Sequence, residues 1–463
     1  MRRIWSIAGW IAIAAVVCAS SIAAGIERHV KEGSRDLTYF SSEPLASKEP
    51  APVLVFLHGN ESASVEMVRN YFQQWEGPAR EQGWNLVLPW NGGTFSFTSD
   101  AGVRALTAIL DDYASHAAVD RQRVFLAGHG DGAPAVFYAL SRCPDRWAAG
   151  LAIGGDASRA IDSNRLFAGN AASIPILWVY QEERLGALQQ SISRLQSAGL
   201  NLSLLAANEF TVKDSIAWLK PHRAESLPVR VDYETGSPDF SHAFWVNIRG
   251  FDFRLRNDAL DSTRVDPGTG AFLRLGGFGY DPAGDGPGLR VKWLPANYKG
   301  PLKKEDVIVS IAGTMIEDAR HYGEFMEAQR ESRDVGVILL RNGKSQRLEA
   351  RIVIPHREEE ETARVHAEYL KDSGEIMVVS RGVQSLAVTV PGIWAPVQLS
   401  WNGLDVADAA DAGCWTLVDG QPKATKGCAG EKPVPDFTPP SSVHSGDRHG
   451  RTPSPGGGNG GTH

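Results

Sequence analysis

The sequence predicts an α/β fold built on a doubly wound parallel sheet, and three features indicate it. Continuous apolar runs at residues 53–57 and 124–127 suit strands that are buried on both faces. Helical patterns follow such runs, so that strands and helices alternate along the chain. The second run continues into a glycine-rich turn, Gly128-His129-Gly130-Asp131-Gly132, and then into a helix that begins near residue 135.

The predicted elements of this first part alternate regularly. Strand 53–57 is followed by a helix over 65–82, a strand over 85–88 and a helix over 101–117. The glycine-rich turn and its helix lead to two further apolar strands, 149–153 and 174–180. This order favours one sheet with helices on both faces.

Length and charge narrow the classes of protein that fit. A chain of 463 residues is long enough for two or three domains, each with its own core. Its formal charge of −7 gives no reason to expect a nucleic-acid partner. Histidines on separate loops without ligand spacing predict no metal site, and no cofactor is expected.

The first 24 residues have the pattern of a secretory signal peptide. Arg2 and Arg3 precede an apolar run over residues 4–17, and small residues follow up to Ala24. Cleavage there predicts an exported protein, periplasmic or extracellular. The alternative is an uncleaved segment that anchors the chain to a membrane, although the run is short for a span.

The glycine-rich turn has the layout of a nucleophile elbow, G-x-S-x-G, which holds a serine between a strand and a helix. Here the serine position is Gly130. Glycine adopts the positive φ of such a turn at the least steric cost, but it has no side-chain nucleophile. The turn is therefore predicted to keep the architecture of an elbow without its chemistry.

Several motifs in order resemble the α/β-hydrolase fold, specifically the secreted esterase and peptidase branch near the polyhydroxybutyrate depolymerases. They are Leu57-His58-Gly59, the stretch from Val119 to Val124, the elbow, and Cys143-Pro-Asp-Arg-Trp147. The resemblance implies an α/β-hydrolase-like domain over residues 35–230. It also implies an oxyanion hole near the backbone of Gly59 and Asn60, together with the amide of Asp131.

The rest of the catalytic set implied by the resemblance is also missing. After the strand that ends at Tyr180, the chain offers Arg184 where the family tends to carry an aspartate. No histidine lies between residues 181 and 221, and His222 comes only after the next predicted helix. The nucleophile, the acid and the histidine of this family act together, and this chain departs from the family at all three positions. The departures indicate that serine chemistry is lost, so no catalytic residues are expected.

Other side chains near the elbow are candidate replacements for the missing nucleophile. Ser62 follows the His-Gly turn, and His58, His129 and Asp131 are expected at the carboxyl ends of the strands. Ser62 alone, or His58 with Asp131, would define an unconventional hydrolase. The simpler interpretation is that these are ordinary residues of loops and of the elbow.

Residues 231–261 and 357–430 alternate apolar and polar positions as half-exposed strands do. They resemble the extra sheet that some secreted hydrolases carry, here as a small accessory β domain in two halves. Residues 262–356 between them resemble the PDZ domains of bacterial periplasmic serine proteases. The most specific pieces are the stretch from Asp306 to Gly313 and the Arg-Asn-Gly-Lys hairpin at residues 341–344. Glu305 stands where the family usually has a glycine.

The PDZ resemblance implies that a peptide or protein C-terminus binds as an added strand. The residues implied for its carboxylate loop are Phe272, Leu273, Arg274 and Leu275. Arg274 replaces a usual glycine, and its side chain would either attract the carboxylate or block its approach. A PDZ fold that serves only for packing is the alternative.

Cysteine spacing and tail composition complete the prediction. In an oxidising compartment Cys414 and Cys428, which bracket a short polar loop, are the expected disulfide, with Cys143 buried and unpaired. Residues 431–463 are rich in Pro, Ser and Gly and are predicted to be disordered.

Three hypotheses for the function follow. The leading one is an exported α/β-hydrolase-like pseudoenzyme with a PDZ module that binds peptides or protein C-termini. The second is an active secreted esterase or peptidase with a non-standard nucleophile. The third is a structural surface protein.

Overall fold

A computed structural model describes residues 25–45, 49–59, 62–208, 210–281, 286–357 and 359–428. The predicted signal peptide, Asn60 and the predicted disordered tail lie outside the described residues. In the described part of the chain, no helix has both the length and the apolar character that a membrane span requires.

The first unit, called the α/β unit, is one eight-stranded sheet in the order β1-β2-β4-β3-β5-β6-β7-β8. The strands from β4 through β8 in this order run parallel, and β1 and β2 are antiparallel additions at one edge. The strands are β1 (Ile26–Glu32), β2 (Arg35–Ser41), β3 (Ala51–Leu57), β4 (Asn85–Trp90), β5 (Val119–His129), β6 (Ala149–Ile153), β7 (Ile176–Tyr180) and β8 (Leu202–Ala206).

Helices cover both faces of this sheet. They are α1 (Val65–Glu81), α2 (Asp100–His116), α3 (Ala133–Arg142), α4 (Ser158–Asp162), α5 (Ala168–Ala171), α6 (Leu185–Ser197) and α7 (Val212–Leu219). Apolar residues of α1 and α7 share one core with the sheet, and those of α2 to α6 share the core on the other face. The apolar runs of β3 and β7 are buried throughout, as strands covered on both faces require. The predicted α/β class is confirmed.

The sheet begins earlier than the predicted start at residue 35. Strand β1 pairs with β2 over its whole length, from Ile26 opposite Ser41 to Glu32 opposite Arg35. Its alternation of half-buried and exposed residues is typical of a strand with one face in water. Such a pattern lacks the continuous apolar run that marks the central strands.

After α7 the chain forms three strands, leaves them for an inserted unit, and then returns. The three strands are β9 (Arg230–Thr235), β10 (His242–Ala243) and β11 (Val246–Phe251). The inserted unit contains β12 (Phe272–Arg274), β13 (Gly279–Tyr280), β14 (Leu289–Trp293), β15 (Val307–Ile311), β16 (Thr314–Met315), α8 (Ala319–Glu327), β17 (Arg333–Arg341) and β18 (Lys344–Val353). The returning strands are β19 (Ala363–Leu370), β20 (Glu375–Arg381), β21 (Val383–Val390), β22 (Val397–Trp401), β23 (Leu404–Ala410), β24 (Gly413–Val418) and β25 (Thr425–Lys426).

The strands on either side of the insertion form two five-stranded sheets, called the two-sheet unit. Their orders are β10-β11-β21-β24-β25 and β23-β22-β20-β19-β9, and they share one apolar core. A disulfide joins Cys414 of β24 to Cys428. Cys143, just after α3, has a free thiol whose pKa is raised to about 12 by burial.

The inserted unit has its own sheet and its own core. The sheet order is β12-β18-β17-β15-β14-β13, with β16 paired to β15 and α8 packed on the same core. The β17–β18 hairpin turns at Asn342 and Gly343, both with positive φ, as a two-residue hairpin turn of this kind requires. Asp306 is buried and its carboxylate accepts hydrogen bonds from Arg341 at 2.8 and 2.6 Å.

One buried carboxylate joins the two ends of the inserted unit. Glu234 on β9 accepts hydrogen bonds from the Ser262 hydroxyl (2.7 Å), the Thr263 amide (2.6 Å) and the Thr362 hydroxyl (2.6 Å). Arg381 adds an ion pair at 3.2 Å. Because a buried carboxylate is stable only when its oxygens are paired, these contacts fix where the insertion leaves and rejoins the two-sheet unit.

Candidate functional site

The glycine-rich turn connects β5 to α3 as an elbow does. Gly130 has φ of +53°, in the left-handed region that glycine adopts without strain. A Cβ atom at Gly130 would lie 3.0 Å from the carbonyl oxygen of Gly59, so the turn packs tightly on the loop after β3. The strand, turn and helix context that the motif requires is therefore present, without a side chain at its apex.

The amide that would serve an oxyanion hole is already used. The backbone N–H of Asp131 donates to the carbonyl oxygen of Gly59 over 3.3 Å. An oxyanion hole needs N–H groups that point at the developing charge and have no other acceptor. Gly59 and Asp131 thus contact each other at the elbow, while Asn60 lies outside the described residues.

A cavity of about 800 Å³ lies above the elbow. The loop after β7 contributes Gln181 and Arg184 to its wall, and the loop after β8 contributes Asn208 and Phe210. These are the loops where the resemblance implies an acid and a histidine. His222 is not in this wall; its ring packs against Trp218 with centroids 4.6 Å apart.

Of the four stand-ins that the sequence offers, His129 and Asp131 lie in the cavity wall, and His58 and Ser62 do not. His129 lines the cavity, with its ring centroid 6.1 Å from that of Tyr71, and desolvation by burial lowers the pKa of His129. His58 is buried and packs edge-on against Phe97 at 5.2 Å. Ser62 is exposed, and neither it nor His58 is in the cavity wall.

Ser158, at the start of α4, lines the cavity and was missed by the sequence analysis. Its amide donates to Asp156 at 2.9 Å. Among the described residues no histidine or carboxylate accepts a hydrogen bond from its hydroxyl, so the general base that activates a serine is absent there. No motif marks Ser158, because a single serine in a short polar loop is common. In the same described segments, no group of three His, Cys, Asp or Glu residues is arranged to hold a metal ion.

A second cavity, of about 530 Å³, lies against the inserted unit, where α8 and the segment from β12 to β13 form part of its wall, and is called the groove. Phe278, Tyr280, Tyr322 and Met326 give it an apolar lining. Among the described strands, β13 pairs only with β14, which leaves one of its edges open. The rings of Tyr280 and Tyr322 meet edge to face at 5.5 Å, which sets β13 beside α8.

Two of the four residues predicted for peptide binding line the groove, and two do not. Phe272 lines the groove and is 47% exposed, and Leu273 lines it from a buried position. Arg274 and Leu275 are not in its wall; Leu275 is buried in the core of the inserted unit, and Arg274 is exposed on β12 opposite Arg351.

The loop at the end of the groove has two unused backbone donors. Within the described residues, the N–H groups of Gly276 and Gly277 have no hydrogen-bond acceptor. The amide of Leu275 donates to Leu273, and the Leu275 carbonyl accepts from the Tyr298 hydroxyl, which holds the loop in place. Successive free N–H groups in a glycine turn form an anion-binding concavity.

Similarity to known proteins is found among solved structures. No protein-family model matches the chain, and no curated protein sequence matches it. Similar solved structures include a thermostable esterase, with 17% identity and a TM-score of 0.35 over 44% of this chain and 64% of that one. The acylaminoacyl peptidase of Pyrococcus horikoshii shows 15% identity and a TM-score of 0.33, over 43% of this chain and 41% of that one. The S-formylglutathione hydrolase FrmB of Staphylococcus aureus shows 14% identity and a TM-score of 0.34, over 42% of this chain and 98% of that one.

These neighbours are α/β-hydrolase esterases and peptidases. The chain spans less than two thirds of the esterase and less than half of the peptidase.

Proposed function

We propose that this chain is an exported, non-catalytic α/β-hydrolase-like protein whose inserted unit is a PDZ-like domain that binds peptide or protein C-termini. The observation that carries the proposal is the groove, where the open edge of β13 lies beside α8 and leads to the free N–H groups of Gly276 and Gly277.

A peptide would enter this groove as an additional strand. Its backbone would pair with the open edge of β13, and its last side chain would pack among Phe278, Tyr322 and Met326. Its terminal carboxylate would accept hydrogen bonds from Gly276 and Gly277. The glycines allow a close backbone approach, because neither carries a side chain over its amide.

The elbow supports the absence of hydrolysis. Gly130 has no nucleophile, and the amide of Asp131 already donates to Gly59. Arg184 and Asn208 line the cavity from the loops where an acid and a histidine would be needed. Loss of any one group of a catalytic unit removes most of its rate enhancement, and here each is replaced.

The finer relationships belong to this proposal. The α/β unit is proposed as a relative of the polyhydroxybutyrate-depolymerase branch on the strength of its ordered motifs, from Leu57-His58-Gly59 to Trp147. Export to the periplasm or cell exterior of a bacterium is supported by the signal-like pattern of residues 1–24 and by the disulfide of Cys414 with Cys428.

The test is a C-terminal peptide library displayed against the full chain. We expect binders that end in an apolar residue, and each synthesised binder should lose its affinity when its carboxylate is replaced by an amide. Equal binding of the amides would overturn the role of the terminal carboxylate. A library that yields no binder would leave the inserted unit as a packing module.

The rival hypothesis, an active esterase or peptidase, predicts the opposite result with a serine-reactive fluorophosphonate probe. We expect the full chain to remain unlabelled and inactive on short p-nitrophenyl esters. Labelling that Ser62→Ala or Ser158→Ala abolishes would identify the nucleophile and refute the pseudoenzyme proposal.

A further inference from the structure

We infer that the α/β unit forms one wall of the groove and that Asp156 in this wall selects peptides with a basic side chain. This inference rests on the proposed function, and it adds to that function a preference that the inserted unit alone would not have.

Residues from two units line the groove. Besides β12, β13 and α8, its wall includes Asp156 and Ser158 at the start of α4, Asp162 at its end, and Gln190 and Arg194 of α6. A ligand between β13 and α8 would therefore lie against side chains of the α/β unit.

Two sets of polar contacts hold this wall in place. Glu327, the last residue of α8, accepts hydrogen bonds from Gln190 at 2.9 Å and from Arg194 at 2.7 Å. Arg357, where the chain leaves the inserted unit, donates to Asp162 at 3.2 Å and to the carbonyl of Gly268 at 3.1 Å. The contacts lie on both the helix and the connecting segments, so the groove keeps a defined distance from α4 and α6.

The close approach requires glycine at one point. A Cβ atom at Gly268 would collide with the Glu327 carboxylate and the Arg194 guanidinium. Gly268 also has φ of +66°, which disfavours other residues. The ion pair and the connecting segment thus pack directly on each other.

The charges in the wall are not all compensated. Glu327 is paired with Arg194, and Asp162 with Arg357. Asp156 accepts only from the hydroxyl of Ser191 at 2.8 Å and from the amide of Ser158 at 2.9 Å, and within the described residues it has no ion pair. It leaves one unpaired negative charge facing the groove.

A cationic group on the ligand is the partner that this charge lacks. A lysine or arginine within reach of Asp156 would gain a charge-assisted hydrogen bond, and an aspartate or glutamate there would be repelled. Because Asp156 and Ser158 also line the cavity above the elbow, the two cavities are neighbours across the start of α4. The former catalytic face would then serve recognition.

The test measures fluorescence polarisation of labelled octapeptides with the full chain. All end in valine with a free carboxylate, and lysine or glutamate is placed in turn at each of five preceding positions. We expect lysine to bind about fivefold more tightly than glutamate at one or two positions, the size of a partly exposed ion pair.

Two variants separate this preference from net charge. Asp156→Asn keeps an oxygen that accepts hydrogen bonds from Ser191 and Ser158 but removes the charge. It should bring the ratio of the affinities for lysine and glutamate peptides close to one. Asp36→Asn removes the same charge from an exposed position near the start of β2 in the α/β unit and should leave the ratio unchanged.

Each outcome has a defined meaning. Equal binding of lysine and glutamate peptides at every position, or a ratio that survives in Asp156→Asn, would overturn the role of Asp156 and leave peptide binding itself intact. Absence of binding by every peptide would instead refute the proposed function, and the inference with it.

Discussion

Arg194 on α6 and Glu327 on α8 form an ion pair with 2.7 Å between the guanidinium nitrogen and the carboxylate oxygen. They are 133 positions apart in the chain and belong to different units. Gln190, one helical turn before Arg194, donates to the same carboxylate oxygen. The helix that borders the groove is therefore attached to the α/β unit at its C-terminal end.

Removing this attachment should loosen both helices at once. We expect Glu327→Ala to increase hydrogen exchange at the amides of α8 and of α6, because each loses a partner from the other unit. Mass spectrometry of peptides that cover the two helices measures it. Glu324→Ala is the matched control, since Glu324 lies on the same helix and forms its ion pair with the exposed Arg320 of that helix. Faster exchange confined to α8 would show that the pair does not join the units.

The elbow leads to a second prediction. Gly130→Ser should not create an esterase, because Arg184 and Asn208 leave the new hydroxyl without a general base and the amide of Asp131 donates to Gly59. Turnover of p-nitrophenyl acetate should stay at the level of the wild-type chain. Gly130→Ala, which adds the same Cβ without a hydroxyl, is the control. Activity in the serine variant alone would mean that a catalytic base is present after all.

The sequence was sufficient to predict the α/β class because its signals are local. Central strands such as β3 are continuous apolar runs, and the elbow needs glycines at fixed spacing. The groove wall was not predictable in this way. Asp156, Ser158 and Gln190 are polar residues without a periodic pattern, and only folding brings them to the inserted unit.

The predicted peptide-binding residues illustrate the same limit. Of the four residues that the resemblance implied, Phe272 and Leu273 line the groove. The resemblance could not say which side chains of this short segment face the core, where Leu273 and Leu275 are buried while Phe272 and Arg274 are exposed. One residue earlier or later in a strand reverses the face.

A third prediction concerns pH and the two-sheet unit. Burial alone would raise the pKa of Asp232, but hydrogen bonds from His366 and Arg364 and their charges lower it to about 2. The folded-state pKa is below the unfolded value, so Asp232 contributes stability above about pH 4. That contribution, about 2 kcal/mol, is lost as the pH falls from about 4 towards 2. The free energy of unfolding, measured in urea across this pH range, should fall less in Asp232→Asn than in the wild-type chain. Parallel curves for the two proteins would contradict the assignment.

The backbone at Glu305 gives a fourth prediction. Glu305 has φ of +71°, in a region that costs a non-glycine residue about 1–2 kcal/mol, and its ion pairs with Arg290 and Lys292 are exposed and long. Glu305→Gly should raise the free energy of unfolding by about 0.5–1 kcal/mol, after the greater entropy of glycine in the unfolded chain is subtracted. Glu305→Gln removes the charge but keeps the strain, and should change little. Lower stability in the glycine variant would show that the ion pairs outweigh the strain.

A glycine in the middle of α8 allows peptide binding in the groove to be tested separately from the stability of the helix. Gly323 lines the groove, and a Cβ atom there would have nothing within 4 Å. Gly323→Ala should therefore stabilise the helix by up to about 1 kcal/mol, as alanine does in helix interiors, and should leave room for a peptide. Gly323→Trp should also keep the helix, but its ring would occupy the space beside Tyr322 and abolish peptide binding.

Alanine and tryptophan both have a higher helix propensity than glycine. A loss of binding in Gly323→Trp alone would therefore reflect occupancy of the groove by the ring. Gly77→Trp places the same ring on the exposed face of α1, where an added Cβ also meets nothing within 4 Å, and should not affect binding. Fluorescence polarisation of a library-derived peptide and thermal unfolding are measured on all three variants. If Gly323→Trp binds the peptide as well as the wild-type chain does, the ligand does not lie between β13 and α8, and the free edge of β13 has another purpose.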